Sequence, residues 1–333
     1  MTYQVSVTES DIAFDCNAGE TVLDAAERAG YALPYSCRKG VCAACEGGLV
    51  AGRGTSIPQG ALAAPAERVL FCCMRPSGDV TIRPRTIEKR AQVVRKKLDA
   101  TVFRIAQPAP GVTVLQLRLP IGVRAKFRAG QYLQVHLDDD TCRNYSMANP
   151  PHHSDVVHLH VRHVPGGRFS EGVLRELAVG RKLRIELPYG EFFFRDDSTK
   201  TVILVATGTG FAPVKSIVED AVKRKLERRL IVYWGARRQQ DIYLAGLAQK
   251  WHDDGLVRFV PVLSEPHDGW TGRTGLVHHA VLADFPSLTA HQVYACGNPT
   301  MTSAAREDFI RAGLPENEFF CDAFVHTESL AHA

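Results

Sequence analysis

A chain of 333 residues, 45% hydrophobic and 23% charged, has the length for two or three domains, each with a core of its own. No apolar run reaches the 18 or so residues that span a bilayer, and the opening MTYQVSVTES shows no basic-then-apolar leader. The expectation is a cytoplasmic protein with no membrane span, and nine cysteines, an odd number, suit a reducing compartment better than a disulfide framework. The net charge of +4 comes from one segment: residues 83–97, RPRTIEKRAQVVRKK, hold seven Lys or Arg against one Glu and leave the remainder at −2. No aromatics interleave these cations, which argues against nucleic acid. Two readings stay open, a solvated linker and a docking strip for an acidic protein partner.

In chain order, YQVSVT and IAFDC within residues 2–16 fit a hairpin. A helix follows, with Thr21 as N-cap, Asp24 three residues on and Gly30 at its end. Cys37, Cys42 and Cys45 then form C-x4-C-x2-C, and VLFCCMRPSGDV carries a later cysteine pair. This is the ligand arithmetic of a 2Fe–2S centre. Two bridged irons need ligands from several directions, so a tight loop supplies three and a distant strand end the fourth. Cys72 and Cys73 compete for that last place. A structural zinc site also uses four cysteines but normally as two C-x2-C pairs, and no second pair exists here. Strands near Gly48–Ala51 and Val80–Arg83 complete the unit, which Pro84 and the basic strip end near residue 95.

From Ala100 to Pro188 short alternating runs, such as TVLQLRL and Val156–Arg162, are separated by turns at Pro108–Gly111, Gly130, Asp138–Asp140 and Pro150–His153. Evenly spaced strands of this kind predict an antiparallel barrel. PGGRFS (Pro165–Ser170) is a Gly-rich turn, and GVLRELAV after Ser170 has the apolar spacing of a short helix. Such a turn is either an ordinary cap or an anion site at a helix N-terminus.

From Thr201 the rhythm becomes β–α–β. TVILVA is a continuous apolar strand, and GTGFAPVKSIVEDAVKRKL a helix with Pro213 near its start and Val214, Ile217, Val218, Ala221, Val222 and Leu226 on one face. LIVYWG, VRFVPVL and QVYACG supply three more strands of a doubly wound nucleotide-binding domain. GTGFAP lacks the G-x-G-x-x-G spacing, so that fingerprint is not claimed. In WGARRQQDIYL a 2′-phosphate calls for cations and a free ribose tolerates an acid; Arg237 and Arg238 argue one way, Asp241 the other. His158 and His160 share a strand face, but no carboxylate is placed to complete a metal site.

Through PYSCRKG, GQY, RNYS, PGGRFS, PYGEFF, GTGFAP and CGNP the whole chain resembles the ferredoxin–NAD(P) reductase superfamily with an N-terminal plant-type ferredoxin domain. The domain order resembles the reductase components of Rieske-type aromatic-ring dioxygenases, nearest the terephthalate dioxygenase reductases. That resemblance implies a multidomain chain: a β-grasp ferredoxin domain (1–90), a basic linker (91–98), an antiparallel β-barrel FAD domain (99–197) and a doubly wound α/β NAD(P)H domain (198–333). It selects Cys72 as the fourth ligand with Cys37, Cys42 and Cys45, because plant-type ferredoxins carry Pro four and Asp seven residues after the last ligand, as Pro76 and Asp79 do here. Val41 departs from the small polar residue usual in that loop.

The resemblance further implies Arg143 on the flavin phosphate, Tyr145 against the isoalloxazine and Ser146 near its reactive nitrogen. Strand alternation places Arg143 and Tyr145 on one face, so Ser146 is expected to act through its backbone or a bend. Gly166, Gly167 and Ser170 would take the pyrophosphate. Gly208, Thr209 and Gly210 would meet the nicotinamide, with Thr209 nearest, and Cys296 and Gly297 would flank the hydride position. Phe324 would cover the flavin, and Arg237 would meet the adenosine end. NADH is preferred to NADPH by the spacing before Tyr243, and FAD to FMN because members with the ferredoxin domain first usually use FAD. Electrons would run from nicotinamide to FAD to the 2Fe–2S cluster and then to a terminal Rieske oxygenase. A deoxysugar dehydratase partner, and a redox-sensing module without enzyme activity, are the other readings.

Overall fold

The computed structural model describes residues 1–90, 94–138 and 141–325. Two compact units emerge, one of Met1–Val94 with the chain's end from Ala323, the other of Arg95–Asp322.

In the first unit, strands Thr2–Val7 and Ala13–Asn17 form the expected antiparallel hairpin. Thr2–Val7 also pairs in parallel with Val80–Pro84, which in turn pairs antiparallel with Glu46–Ala51. With Ala66–Leu70 added, these make a five-stranded mixed sheet. The helix Val22–Arg28 starts where Thr21 Oγ1 accepts from the Asp24 N–H at 3.1 Å, and it ends just before Gly30, whose φ of +80 a side chain resists. Its buried face, Val22, Leu23, Ala25 and Ala26, joins Val5, Leu49, Phe71 and Ile82 in one core. This is a β-grasp arrangement. The short strands Arg53–Ser56, Gly60–Ala63 and Met74–Pro76 form a small side sheet; their alternating pattern is too brief to read in sequence.

The second unit begins with the strand Lys96–Ala109, so Lys96, Lys97 and Leu98, expected in the linker, pair instead with Leu187, Glu186 and Ile185. Six antiparallel strands follow one another round the sheet, and a bridge between Met147 and Leu159 joins its two edges into a barrel. Leu115, Leu117, Leu133, Val135, Leu159 and Ile185 fill it, all fully buried. The helix expected after Ser170 opens earlier, as one wide turn over Arg168–Gly172 and a tight turn over Val173–Glu176. Ser170 causes this, because its Oγ accepts from the Val164 N–H at 3.1 Å and donates to the Val164 carbonyl at 3.3 Å, pulling the chain round.

The rest of the unit is a six-stranded sheet centred on Thr201–Thr207, flanked in parallel by Leu230–Ala236 and His291–Gly297. The central strand is apolar throughout because both faces are covered. Val202, Leu204 and Ala206 pack with Phe211, Val214 and Ile217; Ile203 and Val205 pack with Val277, Val281 and Phe309. Each such burial stabilises by roughly 1.5–3 kcal/mol. Barrel and sheet are joined by Ser216 Oγ donating to the Asn149 carbonyl at 2.8 Å and Lys215 Nζ donating to that of Ala148 at 3.2 Å. Among the described residues no helix is long and apolar enough to cross a membrane.

Candidate functional site

The cysteine loop curls because Arg38, Gly40 and Ala43 all adopt positive φ, 54, 71 and 53. At Gly40 a Cβ would fall 2.7 Å from Pro58 and 3.0 Å from Cys73 Sγ, so the backbone passes where a side chain has no room. Arg38 pins the loop to the helix Val22–Arg28: its guanidinium bonds Asp24 and Glu27, the latter at 2.6 Å, and stacks 4.3 Å over the Tyr35 ring.

The thiols meet in two pairs. Cys37 hydrogen-bonds with Cys42, and Cys45 with Cys72. Backbone N–H groups also aim at sulfur, those of Lys39 (3.3 Å), Val41 and Cys42 at Cys37 and that of Gly40 at Cys72. The bonds from Cys45 and then Cys73 pull the Cys72 thiol down, with Arg38's charge assisting, and the bond from Cys42 pulls Cys37 down. Cys45 and Cys73 are pushed up, by their bonds to Cys72 first and burial second. Cys73 Sγ lies 3.6 Å from Cys72 Sγ. Two thiol pairs ringed by N–H donors are a donor set suited to two bridged irons, each held by one pair.

On the barrel, Tyr132–His136 pairs with Cys142–Ser146, with Tyr132 opposite Ser146 and Val135 opposite Arg143. Ser146 is buried and its Oγ donates to Asp322 Oδ2 at 3.3 Å. The side chain is thereby tied to Asp322, where alternation had pointed to its backbone or a bend. Tyr145 tilts against Phe169 with ring centres 5.1 Å apart, and burial pushes its hydroxyl pKa up. Arg143 donates to the Cys142 carbonyl at 3.0 Å. In the Gly-rich turn the Gly166 N–H donates to Glu171 Oε2 at 3.0 Å and the Gly167 N–H to the Val164 carbonyl at 2.9 Å. A carboxylate of the same turn thus occupies the Gly166 N–H.

Two glycine turns from distant parts of the nucleotide domain meet backbone to backbone. Gly208–Gly210 leads directly into the helix Phe211–Lys223, and a Cβ on Gly210 would lie 2.4 Å from the Cys296 carbonyl oxygen. Gly297, at φ +121, clears Thr207, whose Oγ1 accepts from the Asn298 N–H at 3.0 Å. Cys296 is wholly buried, and its thiol donates to the Gly210 carbonyl at 2.7 Å. Burial, then the charges of Asp322 and Cys321, push that thiol's pKa well up. Thr209, Cys296, Gly297, Ser146 and Asp322 are thereby gathered in one unit. Phe324 falls with the first compact unit, so no place over the flavin follows for it.

Several contributors escape sequence reasoning. Asp322 lies in FFCDAF, where only the aromatics signal. Trp234 Nε1 donates to the Gly208 carbonyl at 3.2 Å, its indole stacks on Phe211 at 3.8 Å, and Tyr243 meets both rings edge-on. A buried indole N–H needs an acceptor, which was the available clue. His160 Nδ1 meets the Tyr243 hydroxyl at 2.8 Å, and burial drives its pKa down to about 3. In the segment after the strand Leu230–Ala236, Arg237 and Arg238 lean on Glu265 at 3.9 and 3.8 Å, while Asp241 is committed to capping the Arg238 N–H.

In the basic strip, Arg83, Arg85 and Arg90 pair with Glu67, Glu46 and Glu88. Arg95 stacks 4.2 Å over Tyr189. Lys96 and Lys97 are exposed on the first barrel strand.

A paired-thiol loop on a β-grasp, a flavin-type barrel and a doubly wound domain with opposed glycine turns define an iron–sulfur flavoprotein oxidoreductase. The sequence matches the 2Fe-2S iron-sulfur cluster binding domain over residues 5–77, the oxidoreductase FAD-binding domain over 100–194 and the oxidoreductase NAD-binding domain over 204–307. It is 42% identical to reductase component 1 of terephthalate 1,2-dioxygenase from Comamonas sp, over all of both chains. With CDP-6-deoxy-L-threo-D-glycero-4-hexulose-3-dehydrase reductase of Yersinia pseudotuberculosis it shares 37% identity, over 98% of this chain and 99% of that one. The solved Amycolatopsis cytochrome P450 reductase superposes with a TM-score of 0.76 at 29% identity, covering 97% of this chain and 99% of that one. The chain belongs to this family of three-domain reductase components, and it carries a 2Fe–2S cluster, FAD and a site for a nicotinamide dinucleotide.

Proposed function

We propose that this protein passes electrons from NADH through FAD and its cluster to the terminal, Rieske-type oxygenase of an aromatic-ring dioxygenase system in the cytoplasm. The observation that carries the reading is the meeting of the Gly208–Gly210 and Cys296–Gly297 turns beside Ser146 and Asp322, in a chain that also holds the paired-thiol loop. The oxygenase partner rests on the Comamonas relative, named as a dioxygenase reductase component and aligned end to end. Domains of residues 1–90, 99–197 and 198–333 take the cluster, FAD and NADH respectively.

Flavin accepts a two-electron hydride and releases electrons singly, and a 2Fe–2S cluster accepts only one at a time, so this order converts one currency to the other. The chain's own residues then have definite tasks. Cys37, Cys42, Cys45 and Cys72 hold the irons, and the N–H groups of the loop steady their sulfurs. Tyr145 offers a ring face to the flavin, and Arg143 a cation for its phosphate. Gly166, Gly167 and Ser170 shape the turn beside that phosphate. Ser146, oriented by Asp322, places a hydroxyl near the reactive edge. Gly208, Thr209 and Gly210 receive the nicotinamide against the backbone, while Cys296 sets their height and Gly297 opens the opposing turn. Arg237 meets the adenosine.

The test is anaerobic. NADH should bleach the purified flavoprotein and then reduce a stoichiometric Rieske oxygenase in the presence of an aromatic acid. A flavin untouched by NADH would sink the enzyme reading. Bleaching without reduction of any Rieske oxygenase, but with turnover of a deoxysugar dehydratase, would reassign the partner to the class of the Yersinia relative.

A further inference from the structure

On the sheet face opposite the helix Phe211–Lys223, the helices Val277–Asp284 and Pro299–Arg311 pack together. His278 and His279 lie on the first and Asp308 on the second. Both imidazoles converge on one oxygen: His278 Nε2 is 3.5 Å and His279 Nε2 3.8 Å from Asp308 Oδ2. All three donor atoms fall within 4.8 Å of one another. We propose that His278, His279 and Asp308 bind a divalent transition-metal ion of the zinc class, which staples these two helices at a site separate from the redox centres.

The distances carry the argument. A hydrogen-bonded or ion-paired imidazole draws its carboxylate to about 2.7–3.2 Å, and both separations here are longer. Around a tetrahedral zinc ion, with bonds of about 2.0–2.2 Å to nitrogen and oxygen, donor atoms stand about 3.3–3.5 Å apart. The two histidine–carboxylate sides need only tenths of an ångström to reach that, and the histidine–histidine side, within 4.8 Å, closes by rotation of the exposed His279 ring. The second oxygen of Asp308 is already engaged, since Arg311 Nη1 donates to Oδ1 at 2.7 Å. That bond orients the carboxylate and leaves Oδ2 to the ion. His278 is buried, and its Nε2 is the ring nitrogen that faces Asp308 Oδ2. Three protein ligands with His279 facing solvent leave a fourth position for water.

The experiment uses holoprotein, cluster and FAD loaded, stripped of adventitious metal and dialysed against zinc. One zinc per chain is expected in the native protein and none at this site in His279→Ala, an exposed position whose change spares the core, or in Asp308→Asn. X-ray absorption at the zinc edge should show nitrogen and oxygen neighbours only, at about 2.0–2.2 Å. At a hundredfold excess of zinc over its Kd, the unfolding equilibrium constant should fall about a hundredfold in the native protein alone. Equal zinc content in the native protein and both variants, or a sulfur shell at about 2.3 Å, would overturn the site.

Discussion

The thiol of Cys296 stands 2.7 Å from the carbonyl oxygen of Gly210 and donates its proton there, although 86 residues separate the two in sequence. This contact ties the Gly208–Gly210 turn to the Cys296–Gly297 turn. It also defines what Cys296 is. A thiol so buried, with Asp322 and Cys321 adding negative potential, keeps its proton, so it serves as a donor and spacer rather than a nucleophile.

The consequence is measurable by stopped-flow reduction with NADH. Cys296→Ser retains a donor and should stay within about threefold of the native rate. Cys296→Ala removes the thiol's hydrogen bond to the carbonyl, which at about 1–1.5 kcal/mol means a loss of about tenfold. Gly210→Ala should cost about a hundredfold, since its Cβ would force the turn away from Cys296 and displacement on the ångström scale carries that penalty. A Ser variant as slow as the Ala variant would refute the donor role.

Cys72 and Cys73 are neighbours with opposite tendencies, and the loop selects between them. Only Cys72 pairs with Cys45 and receives the Gly40 N–H. Cys72→Ser should therefore lose the cluster's visible absorption and its iron, and Cys73→Ser should keep both. The reverse pattern would move the ligand.

Glu265 bears on the choice of nucleotide. It neutralises Arg237 and Arg238 from just under 4 Å, and those are the cations a 2′-phosphate would seek. Exposed pairs of this kind are worth about 0.2–1 kcal/mol, so Glu265→Gln should raise kcat/KM for NADPH by about threefold while leaving NADH nearly unchanged. Arg237→Ala in that background should abolish the gain.

His160 sets a pH dependence. Its folded pKa of about 3 lies below the ordinary value of 6.5, with burial as the main cause. A histidine kept neutral in the fold binds fewer protons than in the unfolded chain, so its contribution is complete above about pH 6.5 and drains as pH falls toward 3. At pH 5 that amounts to about 2 kcal/mol. Denaturant unfolding at pH 8 and pH 5 should show a smaller pH difference for His160→Asn than for the native protein. Equal differences would exclude His160 as a source.

Lys96 and Lys97 are exposed members of the basic strip, while Arg95 is occupied by Tyr189. Replacing both lysines with Glu should weaken coupling to the oxygenase at low salt several-fold, in keeping with electrostatic steering, and spare ferricyanide reduction. Unchanged coupling would return the strip to a plain linker.

How much of this was legible follows from the range of each interaction. C-x4-C-x2-C, RNYS, GTGFAP and CGNP are local patterns, because a loop that wraps irons or a turn that enters a helix is written in consecutive residues. The apolar run TVILVA likewise announced a strand covered on both faces. The side sheet of the first unit, the early turn at Arg168 and the strand identity of Lys96–Leu98 were hidden, since each depends on what a distant segment offers. Ser146 shows the boundary most clearly. Alternation along its strand pointed to its backbone or a bend, and a carboxylate 176 residues away gave the side chain its partner.

Sequence alone determined three domains, their order, the cluster loop and the two glycine turns, because these rest on local spacing and on the hydrophobic period of single elements. Tertiary structure decided the pairing of thiols, the Cys296–Gly210 lock, the Ser146–Asp322 bond, the neutrality of His160 and the convergence of His278, His279 and Asp308. Hydrogen bonds, desolvation and metal coordination act over a few ångströms of space, and no distance along a chain reports them.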